Sequence, residues 1–186
     1  MLSKKLLRKK FSVYLDMLDG CARKHLYWPA LHILVIIPDI CGALESEDGK
    51  ALPPRYKAWC KRYVVDPPFP SANEWYDIRC KLLHQGRTLV KRGKYKGYRF
   101  SLPDNRGNMA HRNVFGRELN LDVSALIEWV KQGLNMWFID ISENRYPDKT
   151  KNVKRNLPYL IKVTEKGKGL KPYIKGTNIP ILGSIK

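Results

Sequence analysis

Apolar side chains return at helical spacing in five stretches of this chain, and between residues 88 and 121 the period shifts. Leu6, Leu7, Phe11, Tyr14, Leu15 and Leu18 predict an amphipathic helix over about residues 5–20, stopped by Gly20. Residues 21–44 predict a central apolar helix, kinked or broken at Pro29 or Pro38. An acidic loop at 45–54 leads to a third helix over 54–64, with Tyr56, Trp59, Cys60 and Tyr63 on one face. Asp66, Pro67, Pro68, Phe69 and Pro70 then predict a rigid turn. The next helix has explicit ends. Ser71-Ala72-Asn73-Glu74 is a capping-box signature, and Gly86 tolerates the left-handed conformation that stops a helix. Asp122 is placed to cap a last helix through Val123, Leu126, Ile127, Val130, Leu134, Trp137, Phe138 and Ile141, which Gly133 weakens without ending.

Residues 95–102 and 114–121 predict two short strands, with a turn-rich run at 103–108 between them. They predict a hairpin inserted at about 88–121 in a helical domain spanning 1–142. Beyond Glu143 no helical period persists. Pro147, Pro158, Pro172 and Pro180, with Gly167, Gly169, Gly176 and Gly183, predict a basic, extended tail over 143–186. No repeat of solenoid length is visible. The expected class is mainly α.

Charge changes the picture. The chain carries 35 Lys and Arg against 17 Asp and Glu, a net charge of +18. Residues 1–10 hold five basic and no acidic residues, 88–118 eight against two, and 143–186 eleven against three. Aromatics stand among these cations, as Tyr95, Tyr98, Phe100, Tyr146, Tyr159 and Tyr173. Such a surface suits phosphates and stacked bases, although high charge also serves plain solubility. Lys91, Arg92, Lys94, Lys96, Arg99, Arg106 and Arg112 are the candidate nucleic-acid contacts. Within 26–44, the most apolar segment, the uninterrupted run is only 31–37, which is too short and too broken for a membrane span of about 20 residues. Lys4 and Lys5 lack the adjacent apolar run of a secretory signal, so a soluble, cytoplasmic protein without a membrane partner is expected. Cys21, Cys41, Cys60 and Cys80 form no close pairs, which argues against structural zinc and for small buried side chains.

Arg79 and His84 stand out. Trp75, Ile78, Leu82 and Leu83 recur as a buried helix face, and Arg79 lies among them. Arginine is seldom buried without a partner or a task. One reading has Arg79 reach past the core to water while His84 complements the helix C-terminus. The other is chemical: a guanidinium matches two phosphate oxygens, and an imidazole donates or accepts a proton near neutrality. Metal-free RNA cleavage needs those abilities. The chain has no HExxH, no carboxylate cluster, no GxxxxGK and no GxSxG, so neither metal nor cofactor is called for. On an ideal helix, residues five apart differ in direction by about 140°. Arg79 and His84 are thus expected on different faces unless the last turn unwinds.

Residues 76–86, with Arg79, four intervening residues, His84 and a terminating Gly86, resemble the R-x4-6-H signature of HEPN domains (higher eukaryotes and prokaryotes nucleotide-binding). The resemblance covers about ten residues in motif and roughly 11–142 in architecture. It implies an antiparallel bundle of four to five helices, and a homodimer in which both copies' Arg79 and His84 line one cleft. It further implies that the arginine binds the scissile phosphate and the histidine is acid and base of an endoribonuclease, such as a prokaryotic toxin or anti-phage effector checked by an antitoxin protein. Two positions depart from the family. Gly86 stands where antitoxin-regulated members often carry tyrosine, and Cys80 where a polar Asn is common. Asp39, Glu45 and Asp77 are candidate assisting carboxylates, each equally readable as a solvated helix-end charge. His25 and His32, two turns apart, read as packing residues, and His111 beside Arg112 as an unspecific phosphate contact. The alternative is a non-catalytic HEPN-like module that binds nucleic acid or a partner.

Overall fold

A computed structural model describes residues 2–64, 70–88, 94–102 and 111–160. It is mainly helical. The helices are α1 (Lys4–Arg23), α2 (Tyr27–Leu44), α3 (Pro53–Tyr63), α4 (Ala72–Gln85), α5 (Val123–Ser142) and α6 (Pro147–Asn156), followed by a 3-10 turn at Leu157–Tyr159. The strands are β1 (Gly97–Ser101), β2 (Val114–Phe115) and β3 (Glu118–Asp122). The central element is α2, which packs against α1, α3, α4, α5 and α6. Phe11 of α1 meets Trp137 and Phe138 of α5 edge-on, each at 5.5 Å, and Trp59, Trp75 and Trp137 are fully buried. By length and composition α2's 18 residues are enough to cross a membrane, which revises the expectation of a short, broken run; most of the helix is buried inside the protein.

Local chemistry explains the boundaries. Ser3 opens α1 by accepting from the Leu6 amide at 3.1 Å. Gly20 does not stop this helix: buried Leu18 and Cys21 flank it, and the ladder continues to Arg23. His25 makes the break instead. It adopts a left-handed φ of 56°, with its amide on the Ala22 carbonyl and the Leu26 amide on Cys21, a Schellman closure usually made by glycine. Pro38 stays inside α2 and breaks nothing. Of the predicted turn at 66–70, residues 66–69 lie outside the described residues, as does the run 103–108.

The sheet corrects the predicted hairpin. β1 and β3 pair in parallel, Gly97 opposite Glu118 through Ser101 opposite Asp122. The antiparallel partner of β3 is the two-residue β2, joined through Gly116 (φ 63°) and Arg117. The turn thus falls within what reads as one strand. Asp122 ends β3 and caps α5, accepting from the Ala125 amide at 2.7 Å. Its own amide donates to Nδ1 of half-buried His111 at 2.9 Å.

That contact predicts a pH effect. Burial disfavours the imidazolium of His111; Asp122 opposes this and Arg112 adds to it, leaving the ring's proton affinity below the ordinary histidine value. The lowered native value means that His111's contribution is present in full above about pH 6.5 and is lost as pH falls below it. Melting temperature from about pH 7 to about pH 5 should fall a few degrees further for the wild type than for His111→Gln, which accepts the bond without titrating. Parallel curves would exclude this role.

The tail expectation is also corrected over residues 147–159. Val153 and Leu157 are buried, and α6 is fastened to the end of α2 by polar groups. Asn156 Nδ2 donates to the carbonyls of Leu44 (3.1 Å) and Ser46 (2.7 Å), Asn152 Nδ2 to Glu45 (3.0 Å), and Lys149 Nζ to the Glu45 carboxylate (2.6 Å). Residues 161–186 lie outside the described residues.

Candidate functional site

The end of α4 is built as its sequence promises. Ser71 Oγ accepts from the Glu74 amide and Glu74 Oε2 from the Ser71 amide, while Gly86 closes the other end at φ 56° with its amide on the Lys81 carbonyl. Trp75, Ile78 and Leu82 bury the inner face. Arg79 sits at the edge of that face. Its Nε donates to Asp39 Oδ2 of α2 at 2.8 Å, and its Nη1 lies 2.8 Å from His84 Nε2.

The pair therefore meets within one chain, without any unwinding of α4 before Gln85. The angular expectation fails because it describes Cβ directions. Side chains on a helix lean toward its N-terminus, so His84 leans back toward Arg79, and the long arginine spans what remains. A guanidinium only donates, so Nε2 of His84 accepts and its ring proton belongs on Nδ1. Burial alone would loosen the Arg79 proton; Asp39 reverses this and raises its affinity above the usual arginine value. The Arg79 guanidinium carbon is also 6.0 Å from the Tyr76 ring, which Tyr56 abuts edge-on at 5.4 Å.

The ion pair of Arg79 and Asp39 is largely sequestered, with side-chain exposures of 20% and 15%. Asp39→Ala leaves a half-buried cation without its partner. Loss of about 1–3 kcal/mol is expected, measured as a lower urea midpoint at unchanged slope. An unchanged midpoint would make the pair energetically idle.

The other two carboxylates take structural roles. Glu45 accepts from Trp137 Nε1 at 2.9 Å and from Lys149, tying α2 to α5 and α6. Asp77 is hydrogen-bonded with Tyr98 and ties β1 to α4; burial raises its pKa from the ordinary aspartate value. His25 lies in the α1–α2 link and therefore shares no helix face with His32. His32 donates from Nδ1 to the Trp28 carbonyl at 2.8 Å. Cys21, Cys41 and Cys60 are buried and Cys80 partly so.

The predicted basic contacts disperse. Lys94 and Lys96 are exposed just before β1, with Lys94 Nζ 5.3 Å from the Tyr95 ring centre. Arg99 is held by Glu118 at 2.7 Å, and half-buried Arg112 lies over Trp129 at 5.1 Å. Lys91, Arg92 and Arg106 lie outside the described residues. The sequence reading missed Trp28, an indole left 49% exposed at the start of α2; its only sequence signal is a tryptophan beside a proline at a helix start.

No family model matches this chain, and no curated protein or solved structure shows significant similarity to it.

Proposed function

We propose that the chain is a HEPN-type antiparallel bundle acting as a metal-independent endoribonuclease, with Arg79 and His84 as its catalytic pair. The observation that carries this reading is the chain of contacts Asp39–Arg79–His84 at a helix end capped on both sides. Asp39 holds Arg79 by one edge of its fork, leaving the rest of the guanidinium to face an anion. A bound phosphate replaces His84 on Arg79 and frees Nε2. One histidine then takes the 2′-OH proton as that oxygen attacks phosphorus, and a second protonates the 5′ oxygen as its bond breaks. Arginine steadies the charge that develops on the phosphate. Two histidines are needed, and a homodimer with facing motifs supplies both. A cytoplasmic toxin or anti-phage effector, restrained by a protein regulator, is the setting that this chemistry fits.

Incubating wild type and His84→Ala with RNA in EDTA tests the proposal. Cleavage by the wild type alone, leaving 2′,3′-cyclic ends, is expected. Equal cleavage by both, or by neither, would sink it. A non-catalytic nucleic-acid-binding module is the second reading, and the closed contact between Arg79 and His84 favours it to the extent that both groups are already satisfied. Binding that weakens steeply with salt while RNA stays intact would select that reading.

A further inference from the structure

Between the α1–α2 junction and β1 lies a cavity of about 490 Å³, inside the range of about 300–1,000 Å³ typical of small-molecule sites. His25, Trp28, Leu31, Thr88, Phe100 and Leu102 form its walls, with Arg99 and Glu118 among the polar groups. Its aromatic surface is open: Trp28 is 49% exposed, whereas Trp59, Trp75 and Trp137 are fully buried. The indole is also held in place, edge-on to the His32 ring at 4.8 Å. His25 sits in its left-handed conformation at the same wall, with Nδ1 2.8 Å from the Tyr27 hydroxyl. A non-glycine residue in that conformation is the kind of local strain that gathers at functional sites.

The surroundings select the ligand's charge. Arg23 and Lys24 beside His25, Arg87 beside Thr88, and Lys96 before β1 are all exposed. The Arg99 guanidinium donates from Nη2 and Nε to one oxygen of Glu118, at 2.7 and 3.2 Å, which fixes its place at the rim. Aromatic faces with cations around them suit a ligand that carries both a π surface and phosphates. Thr88 is four residues beyond His84, at most about 14 Å of chain, so one strand can reach both places.

We propose that this pocket takes one base of a single-stranded polynucleotide, stacked on Trp28, with the strand's phosphates on the surrounding cations. The choice of RNA rests on the ribonuclease reading; the stacking does not. The test is binding of a short oligonucleotide, 2′-O-methylated throughout and therefore uncuttable, to the full chain. Quenching of exposed-indole fluorescence is expected on binding. Trp28→Ala should weaken affinity about 5- to 100-fold and remove the quenching, and Trp28→Phe should retain most of the affinity. A strand with abasic sites should bind wild type as weakly as the intact strand binds Trp28→Ala. Equal affinity of wild type and Trp28→Ala, or undiminished binding of the abasic strand, would overturn the proposal. A free nucleoside monophosphate that binds as tightly as the strand would also overturn it, by making this a mononucleotide site. Stacking without any cleavage of ordinary RNA would instead sink only the ribonuclease reading.

Discussion

Metal-free RNA cleavage is expected to fall by about 10²–10⁴-fold in His84→Ala, the range set by losing a positioned acid–base group. His84 is exposed at the end of α4, so its removal should leave stability within about 0.5 kcal/mol of wild type. The loss would then belong to chemistry and not to folding. Arg79→Lys sharpens the test. The guanidinium holds Asp39 through Nε while Nη1 reaches His84, and a lysine ammonium cannot span both positions with fixed geometry. Cleavage by Arg79→Lys should therefore fall about 10²–10³-fold, nearly as far as for Arg79→Ala. Activity close to wild type in either His84→Ala or Arg79→Lys would remove this pair from the reaction.

Capping is local chemistry over three or four residues, and so the ends of α4 and the start of α5 were legible from Ser71, Glu74, Gly86 and Asp122. Arg79 stands out in the sequence because a charged residue interrupts an apolar face. Its partner Asp39 is legible only as one of three candidate carboxylates, with Glu45 and Asp77, because it lies forty positions away on another helix and nothing local singles it out. Strand pairing was less legible still. Alternation identifies strand-like residues around 95–102 and 114–121 but carries no direction, and the left-handed turn at Gly116 lies inside the second run. In α6 only Val153 is buried, so periodicity has almost nothing to find. That helix is placed by Asn152, Asn156 and Lys149 reaching the end of α2, contacts that hydrophobic patterns do not encode. The same limit hid the pocket at Trp28, whose walls come from α2, β1 and the segments after α1 and α4.

Gly133→Ala should destabilise the protein by about 2 kcal/mol or more, against the usual direction of a helical glycine replacement. In an exposed helix the change would gain about 1 kcal/mol from backbone entropy and propensity. Here an added Cβ would overlap the Tyr63 carbonyl oxygen and lie 3.0 Å from its carbonyl carbon. These are backbone atoms at the end of α3, and no rotamer change can relieve them. Tyr63 is also tied to α5 at its other end, its hydroxyl donating to Asp140 at 3.0 Å, so α3 cannot retreat without stretching that buried bond. Overpacking of this kind costs about 1–3 kcal/mol, and the strained contact places Gly133 at or above the upper end of that range. A melting temperature lower by about 4–8 °C is expected for a chain of this size. Gly42, which faces Arg55 near the opposite end of α3 with contacts of 3.1–3.3 Å, provides the internal scale. Gly42→Ala should destabilise less than Gly133→Ala, because a shift of a few tenths of an ångström accommodates it. A stabilised Gly133→Ala, or the reverse order of the two variants, would show that α3 does not approach α5 as closely as described. The order follows from backbone distance alone, and thermal or urea unfolding of the two single variants reads it directly.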